Sequence, residues 1–571
     1  MKLPIGYSDF KEIIDNQFDF IDKSLLIKEI IDDAKVILIT RPRRFGKTLN
    51  MSMLQYFFAQ TVHGQSTKEL FTHLNITTHA HESYLQYQGK YPVLFLTFKD
   101  IKENNFELAY EKFYELIVKM YDDFSYLQES ERLSINQKNF YQIILNRQAN
   151  RAQLENALQM LTECLFKHHG EKSIILIDEY DTPIQSGYLQ DYYDDIVGLF
   201  RNFFSAALKD NPFLFKSVLT GILRVSRESL FSGLNNLKSY SMLHPKYAAY
   251  FGFTETEVSS LLDKAGLSDR ASQIKDWYNG YQIGDCILYN PWSIVNSIQD
   301  RLLRSYWVNT SDNALIKRLL LNSSAVFKER LGLLLSGDCI ERIIDENFVF
   351  SDLKKHNESA VWSLLFMAGY LKIVAYQDTS QGSLCQLAIP NQEIRDLYRK
   401  IIEQWLADGY GVEWYNEFLN DLLKGDMKKF SRGLSDIMEQ TVSVHDVARE
   451  PEAFYHGLMI GLTASLYNHP NYETRSNRES GYGRYDYLII SRDREKLTIL
   501  LEFKKINLPE SKQNANEIAT IFDKAAHEAL KQIDHQRYLI ELQQREIKNI
   551  LKIGIAFSGK RFGIAHEKSH A

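Results

Sequence analysis

The chain has 571 residues, 44% hydrophobic and 25% charged. At about 150 residues per domain that implies three or four domains, and 11 prolines, 28 glycines and 13% aromatic residues exclude wholesale disorder. The formal net charge of −6 excludes a polycation, although residues 471–571, with 18 Lys and Arg against 14 Asp and Glu, are where a polyanion meets least repulsion.

The first residues, MKLPIGYSDFKEIID, place Asp9 and Glu12 where an export signal needs an apolar core. No apolar run approaches the roughly 18 residues that span a bilayer. Cys164, Cys286, Cys339 and Cys385 lie far apart without metal-ligand spacing, so they read as free thiols of a reducing compartment. A cytoplasmic protein is expected.

Short β-branched runs then alternate with helical stretches. The runs are KVILIT (35–40), PVLFLTF (92–98), SIILID (173–178) and FKSVLTGIL (215–223). Each is apolar at nearly every position, as strands of a parallel sheet covered on both faces should be. Helical periodicity over 107–125, 151–168 and 190–209 fills the gaps, and the alternation predicts a doubly wound α/β domain over 1–245. From FGFTETEVSSLLDKAG, with Thr254 and Glu257 spaced as a capping box, the pattern turns helical with aromatic-rich connections and a small β element near 370–390. That middle region is set at 246–392. Region 393–571 begins with helices to about 467. The strands YDYLIISR and LTILLEFKK follow around the turn Asp493-Arg494-Glu495, then a helix over about 513–534 and the strand NILKIGIAFSG. His566 and His570 read as part of a disordered polar tail rather than as a metal pair.

The first chemical motif is ITRPRRFGKTLNMSMLQYFF. A buried strand runs through a basic loop into a helix, so loop N–H groups and the helix N-terminus face an anion. The loop residues Arg43, Arg44, Phe45, Gly46, Lys47 and Thr48 are predicted to bind ATP. Lys47 would reach the β- and γ-phosphates and the Thr48 hydroxyl would ligate Mg²⁺. Arg41 stands where the general phosphate-loop pattern has its first Gly. The second motif is SIILIDEYDTPI, which delivers Asp178 to hold Mg²⁺ and Glu179 to deprotonate the attacking water. Thr220, at the end of the next strand, is read either as a sensor of the γ-phosphate or as a strand-end cap. Arg224 and Arg227 are candidates for a finger-type charge or for ordinary solvated arginines.

The third motif is GYGRYDYLIISRDREKLTILLEFKK. Glu502 and Lys504, two apart on a strand, share a face, and Asp486 can approach Glu502 across the hairpin. Two carboxylates form a hard-oxygen site for Mg²⁺ or Mn²⁺, and an adjacent ammonium can activate water or steady a phosphorane-like transition state. The competing reading is a salt-bridged amphipathic hairpin.

Taken together, FDFIDKSLLI, TRPRRFGKT, IILIDEYDTPI, LTGILRVS, WYNGY, YNPWSI, GYGRYD, LEFK and ALKQIDHQRY resemble bacterial proteins that join an AAA-type ATPase-like domain to a C-terminal PD-(D/E)XK nuclease-superfamily domain. The resemblance implies an α/β multidomain fold: an AAA-like P-loop domain, a helical lid or middle region and a PD-(D/E)XK-type α/β domain. It implies that Arg41 is normal for this phosphate loop and that Asp486, Glu502 and Lys504 form the nuclease core. Gln532 and Tyr538 would lie on the following helix, with Glu452 as a third acidic candidate. The expected function is ATP binding or hydrolysis, with Mg²⁺ (or Mn²⁺), gating phosphodiester cleavage of nucleic acid, DNA ahead of RNA. No membrane partner is expected, and self-association stays open. The alternative is a nucleotide-controlled switch whose nuclease-like domain binds without cutting. An ATP-driven translocase ranks third, because no substrate-threading segment is evident.

Overall fold

The computed structural model describes the chain outside residues 225–229, 232–235, 311–313, 322, 336, 349, 355–356, 380–381, 408–410, 442–458, 460–461, 464–465, 467–470, 481–482, 507, 509–514, 536–541, 543 and 571. Glu452, Arg227 and Tyr538 therefore lie outside the described residues. The chain divides into two units. One comprises Met1–Leu315, Arg342–Cys385 and Pro390–Glu393, the other Ile316–Glu341, Gln386–Ile389 and Ile394–Ala571. No helix among the described residues is long and apolar enough to cross a membrane.

In the first unit the four expected runs become strands β1 (Val36–Thr40), β2 (Val93–Thr97), β3 (Ser173–Asp178) and β4 (Leu214–Gly221). A fifth, β5 (Leu237–Tyr240), was not foreseen, because LKSY is short and only half-buried. Among the described residues these five form one parallel sheet in the order β2-β3-β4-β1-β5. β1 and β3 are buried at every position, which is why their sequences carry no alternation. Helices Phe106–Asp123, Arg151–His169 and Tyr193–Leu208 fill the predicted stretches. Their rings pack on one another and on the residue after β2: Phe113 meets Phe203 at 5.0 Å and Phe98 meets Phe200 at 4.9 Å between centroids.

The order matters for the site. β4 is inserted between β1 and β3, with Thr220 beside Ile39 and Leu219 beside Ile177. Thr220 therefore stands between the phosphate loop after β1 and the acidic end of β3. Ligands of open parallel sheets bind at these carboxyl ends.

The capping box at Thr254 and Glu257 forms as expected and starts helix Glu255–Ala265. The stretch read as aromatic connections contains an antiparallel hairpin, Tyr281–Ile283 with Cys286–Tyr289, joined on its other edge by Phe253–Thr254. Strands of three and four residues are too short to show alternation. Gly280 (φ 98°) sits so close to Pro390 that a side chain there would meet its carbonyl oxygen. The aromatic rings of WYNGY and SYW are core material: Tyr281 meets Trp307 edge-on at 6.1 Å. Strands Lys372–Thr379 and Gly382–Ala388 supply the β element expected near 370–390.

In the second unit, helices Val412–Lys424 and Met427–Thr441 precede a sheet of β6 (Tyr472–Ser480), β7 (Gly483–Ser491), β8 (Thr498–Lys505), β9 (Asn549–Ser558) and β10 (Arg561–His570), in that order. Pairing is antiparallel except between β8 and β9, which helix Ala515–His535 connects. The polar-tail expectation for His566 and His570 is corrected: both lie on β10, opposite Ile553 and Asn549. Edge strands such as RFGIAHEKSH need little apolar patterning, because their backbone pairing with a neighbour carries them.

Candidate nucleotide and metal sites

The phosphate loop joins β1 to helix α1 (Lys47–Phe58). Gly46, with φ 82°, is its N-cap, and Arg44 has φ 66°. No atom would lie within 4 Å of a Cβ on Gly46, so the glycine is required by the left-handed backbone and not by space. The Lys47 ammonium is buried and donates to the carbonyl oxygens of Arg41 (3.1 Å) and Pro42 (2.9 Å). Burial lowers its pKa, and Glu179, Asp178 and Asp181 pull the other way.

Asp178 closes the floor. Thr48 Oγ1 donates to Asp178 Oδ2 and Thr220 Oγ1 to Asp178 Oδ1, each at 2.6 Å. Burial raises the Asp178 pKa and the two hydroxyl bonds oppose it. Glu179 follows with φ 53°, a left-handed conformation costing about 1 kcal/mol for a residue with a Cβ. Such strain aims a side chain away from the strand direction. Asp181 completes the turn. It is buried and accepts the N–H groups of Ile222 and Leu223, both at 2.9 Å. A Cβ on Gly221 would stand 2.6 Å from Tyr180 and 2.7 Å from the Asp181 carboxylate, so that position admits no side chain.

Arg41 does not face the cavity. Its guanidinium is wholly buried and donates to the carbonyls of Thr40 (2.8 Å), Tyr240 (3.1 Å), Ser241 (2.9 Å) and Lys246 (3.2 Å). It pins the start of the loop to the chain leaving β5. Burial depresses its pKa to about 9, which leaves it cationic at neutral pH.

A cavity of about 510 Å³ opens above these groups. Arg43, Arg44, Phe45, Gly46, Lys47, Thr48 and Glu179 line it, whereas Asp178 and Thr220 lie fully buried behind Thr48. Arg224 is not among the lining residues. Phe45 turns its ring into the core, edge-on to Tyr281 at 5.0 Å. The sequence reading missed the rest of the lining: Tyr7, Phe20 and Lys23 from the N-terminal segment, Trp292 from helix α2 (Pro291–Asp300), and Lys99 and Lys102 after β2. Arg44 lies over the Trp292 ring at 4.5 Å. No local pattern marks these residues, because they converge from distant segments.

The donor set of Thr48 and Asp178 is one hydroxyl and one carboxylate, hard oxygens that fit Mg²⁺ with water and phosphate oxygens completing its shell. In the second unit, Asp486 Oδ2 accepts the Phe503 N–H at 2.6 Å, which brings the β7 carboxylate beside Glu502. Glu502 Oε1 accepts from Gln532, and Lys504 forms an ion pair with Glu528. Gln532 and Glu528 are one turn apart on Ala515–His535. That helix lies close because Gly554, opposite Glu502 on β9, has no side chain to collide with the Ala526 carbonyl. The hairpin thus holds the Asp486 carboxylate at the Glu502–Phe503 backbone, and helix Ala515–His535 reaches Glu502 through Gln532 and Lys504 through Glu528, a residue that sequence reasoning did not single out. Two carboxylates fit one hard divalent ion that keeps several waters. No cluster of three or more His, Cys, Asp or Glu suited to a metal occurs among the described residues.

Residues 4–231 match the AAA-ATPase-like family, described as predicted AAA-ATPase, and residues 450–567 match the PD-(D/E)XK nuclease superfamily. A curated relative from Azotobacter chroococcum mcd 1, named as an uncharacterized protein in the vnfD 5′ region, is 26% identical over 528 residues, covering 90% of this chain and 92% of the relative.

Proposed function

We propose, from the matches of residues 4–231 to the AAA-ATPase-like family and of residues 450–567 to the PD-(D/E)XK nuclease superfamily, that the chain binds and hydrolyses ATP in the first unit and cleaves nucleic acid in the second. Gly46, Lys47 and Thr48 hold the phosphates, Asp178 orients the metal's water shell, and Glu179 takes the proton of the attacking water. Mg²⁺, when bound, supplies charge neutralisation on the phosphate oxygens. The observation that carries the nucleotide reading is the 2.6 Å hydrogen bond from Thr48 to Asp178. It joins two motifs 130 residues apart, and Thr48 and Glu179 of those motifs line one cavity.

Asp486 and Glu502 hold one divalent ion and Lys504 acts on the water or phosphate beside it, with DNA preferred over RNA. ATP binding or hydrolysis gates this cleavage. A second reading draws support from the ion pair of Lys504 with Glu528 and the bond of Gln532 to Glu502. Those contacts engage the Lys504 ammonium and one oxygen of Glu502 within the fold, as in a binding domain that does not cut. Plasmid, oligodeoxynucleotide and RNA incubated with Mg²⁺ or Mn²⁺, with and without ATP, separate the two, with Lys504→Ala as control. Metal-dependent cleavage that responds to ATP is the expected outcome. Nucleic-acid binding without cleavage under every condition selects the switch.

A further inference from the structure

The cavity above the phosphate loop holds more cationic groups than the two motifs account for. Six basic residues line it: Lys23, Arg43, Arg44, Lys47, Lys99 and Lys102. Four are engaged. Lys23 pairs with Glu257, Arg43 donates to Gln185, Arg44 lies over Trp292, and Lys47 donates to the Arg41 and Pro42 carbonyls. Among the described residues the ammonium groups of Lys99 and Lys102 carry neither ion pair nor hydrogen bond, and both residues are exposed.

Their place is fixed by the sheet. Thr97 pairs with Asp178, and the Phe98 N–H donates to the Asp178 carbonyl at 3.0 Å. Lys99 therefore leaves β2 next to the point where Glu179 leaves β3. The turn is anchored beneath: Ile101 is buried, and the Glu103 carbonyl accepts from Ser186 Oγ at 3.1 Å and Tyr192 Oη at 2.8 Å. The anchored turn thus places Lys99 and Lys102 in the lining of the cavity that also contains Glu179.

We infer that Lys99 and Lys102 bind the terminal phosphate of a nucleoside triphosphate, supplied by the same chain that holds its other phosphates. The inference rests on the nucleotide reading above. Hydrolysis forms a bond from water oxygen to the terminal phosphorus and breaks the bond from that phosphorus to the oxygen bridging it to the β-phosphate. The bond pair stays on the diphosphate, and the water proton passes to Glu179. Charge in the transition state is spread over the equatorial oxygens of the transferring group, where two ammonium groups act electrostatically. Arg224, one candidate for a finger-type charge, is not in the lining, and these lysines take that electrostatic role.

The test uses the full chain and its Lys99→Ala/Lys102→Ala double variant, titrated calorimetrically with ADP and with the non-hydrolysable analogue AMP-PNP, in Mg²⁺ and in EDTA. ADP affinity should stay within about twofold while AMP-PNP affinity falls about tenfold or more, and arginine at both positions should restore it. Phosphate release should fall in parallel, and mixing the double variant with Glu179→Gln chains should not rescue it. Equal weakening of both nucleotides, or of neither, overturns the assignment, and rescue on mixing overturns its same-chain part. If the unmodified chain binds neither nucleotide, the nucleotide reading itself fails and this inference falls with it.

Discussion

Thr48 and Thr220 donate to opposite oxygens of one buried carboxylate, Asp178, at 2.6 Å each. One threonine begins the helix after the phosphate loop and the other ends the strand inserted between β1 and β3. Thr48 is thereby tied to the end of β4, and on the proposed reading Thr220 would act on phosphate chemistry by fixing Asp178. Thr220→Val keeps shape but leaves Asp178 Oδ1 without that donor, at a cost of about 1–3 kcal/mol in a buried site. Thermal unfolding should show that loss, and ATP turnover should drop. Thr220→Ser should retain both, and a valine variant with unchanged turnover would remove Thr220 from the site.

Lys47→Ala and Glu179→Gln should separate binding from hydrolysis. Losing Lys47 removes a buried cation from the phosphate loop, so ATP affinity should fall at least about tenfold and turnover should vanish. Glu179→Gln keeps the shape but lacks a base, so ATP should bind normally and turn over slowly. Calorimetry beside phosphate release reads both, and equal loss of binding in the two variants contradicts the assigned roles.

Arg41 occupies the position of the first glycine in the general phosphate-loop pattern, and Arg41→Gly restores that pattern. The glycine should nevertheless make the protein worse. Four carbonyl oxygens, of Thr40, Tyr240, Ser241 and Lys246, lose a buried cationic donor. At roughly 1 kcal/mol or more for each abandoned acceptor, a loss of about 4 kcal/mol or more is expected. Weaker ATP binding should accompany it, measured by calorimetry below the melting transition. A glycine variant that binds ATP as well as the parent would show that the guanidinium has no part in shaping the loop.

The nucleotide motifs were legible because each is local: a buried strand, a basic loop or an acidic pair, and a helix. So was the proximity of Asp486 to Glu502, which follows from strand periodicity and a short hairpin. The rest of the cavity lining was not, since Tyr7, Lys99 and Trp292 come from distant parts of the sequence and line one cavity only in the fold. The resemblance made Arg41 expected in this loop, but its structural role was not legible, because the acceptors Tyr240, Ser241 and Lys246 lie about 200 residues away. β5, β6 and β10 escaped for the opposite reason: edge strands depend on pairing with a neighbour, and their residues carry little pattern of their own.

Glu393 makes stability pH-dependent. It is buried and accepts from Ser293 Oγ (2.7 Å) and from the N–H groups of Tyr306 and Trp307 (2.6 Å each). Burial raises its pKa from 4.5 to about 7, and the hydrogen bonds oppose that shift. The folded state therefore holds a proton that the unfolded state has released between those values. Its contribution is fully present below pH 4.5 and is lost as pH rises through about 7. The difference amounts to about 3 kcal/mol at most. Denaturant unfolding at pH 5 and pH 8 should show parent stability falling relative to Glu393→Gln as pH rises. A constant difference between the two proteins removes Glu393 as the source.

The hairpin site makes a prediction in which metal and cleavage part company. Asp486 and Glu502 are proposed as the ligands, so alanine at either should abolish Mn²⁺ binding and cleavage together. Lys504→Ala should abolish cleavage while the ion stays bound, and slightly tighter metal binding is expected once a neighbouring positive charge is gone. Glu528 sharpens the argument, because its ion pair holds the Lys504 ammonium at the surface of the sheet. Glu528→Gln releases that ammonium. If Lys504 works on the substrate, cleavage should persist in this variant and its dependence on nucleic-acid concentration should change. If the pair is only a salt bridge between exposed groups, Glu528→Gln and Lys504→Ala should both be nearly silent in every assay. None of the four substitutions should alter ATP affinity, since each site is built from residues of its own unit. Isothermal titration with Mn²⁺ and ATP, beside cleavage of a labelled DNA, measures all of these. Cleavage that survives Asp486→Ala would falsify the assignment of the metal to this hairpin.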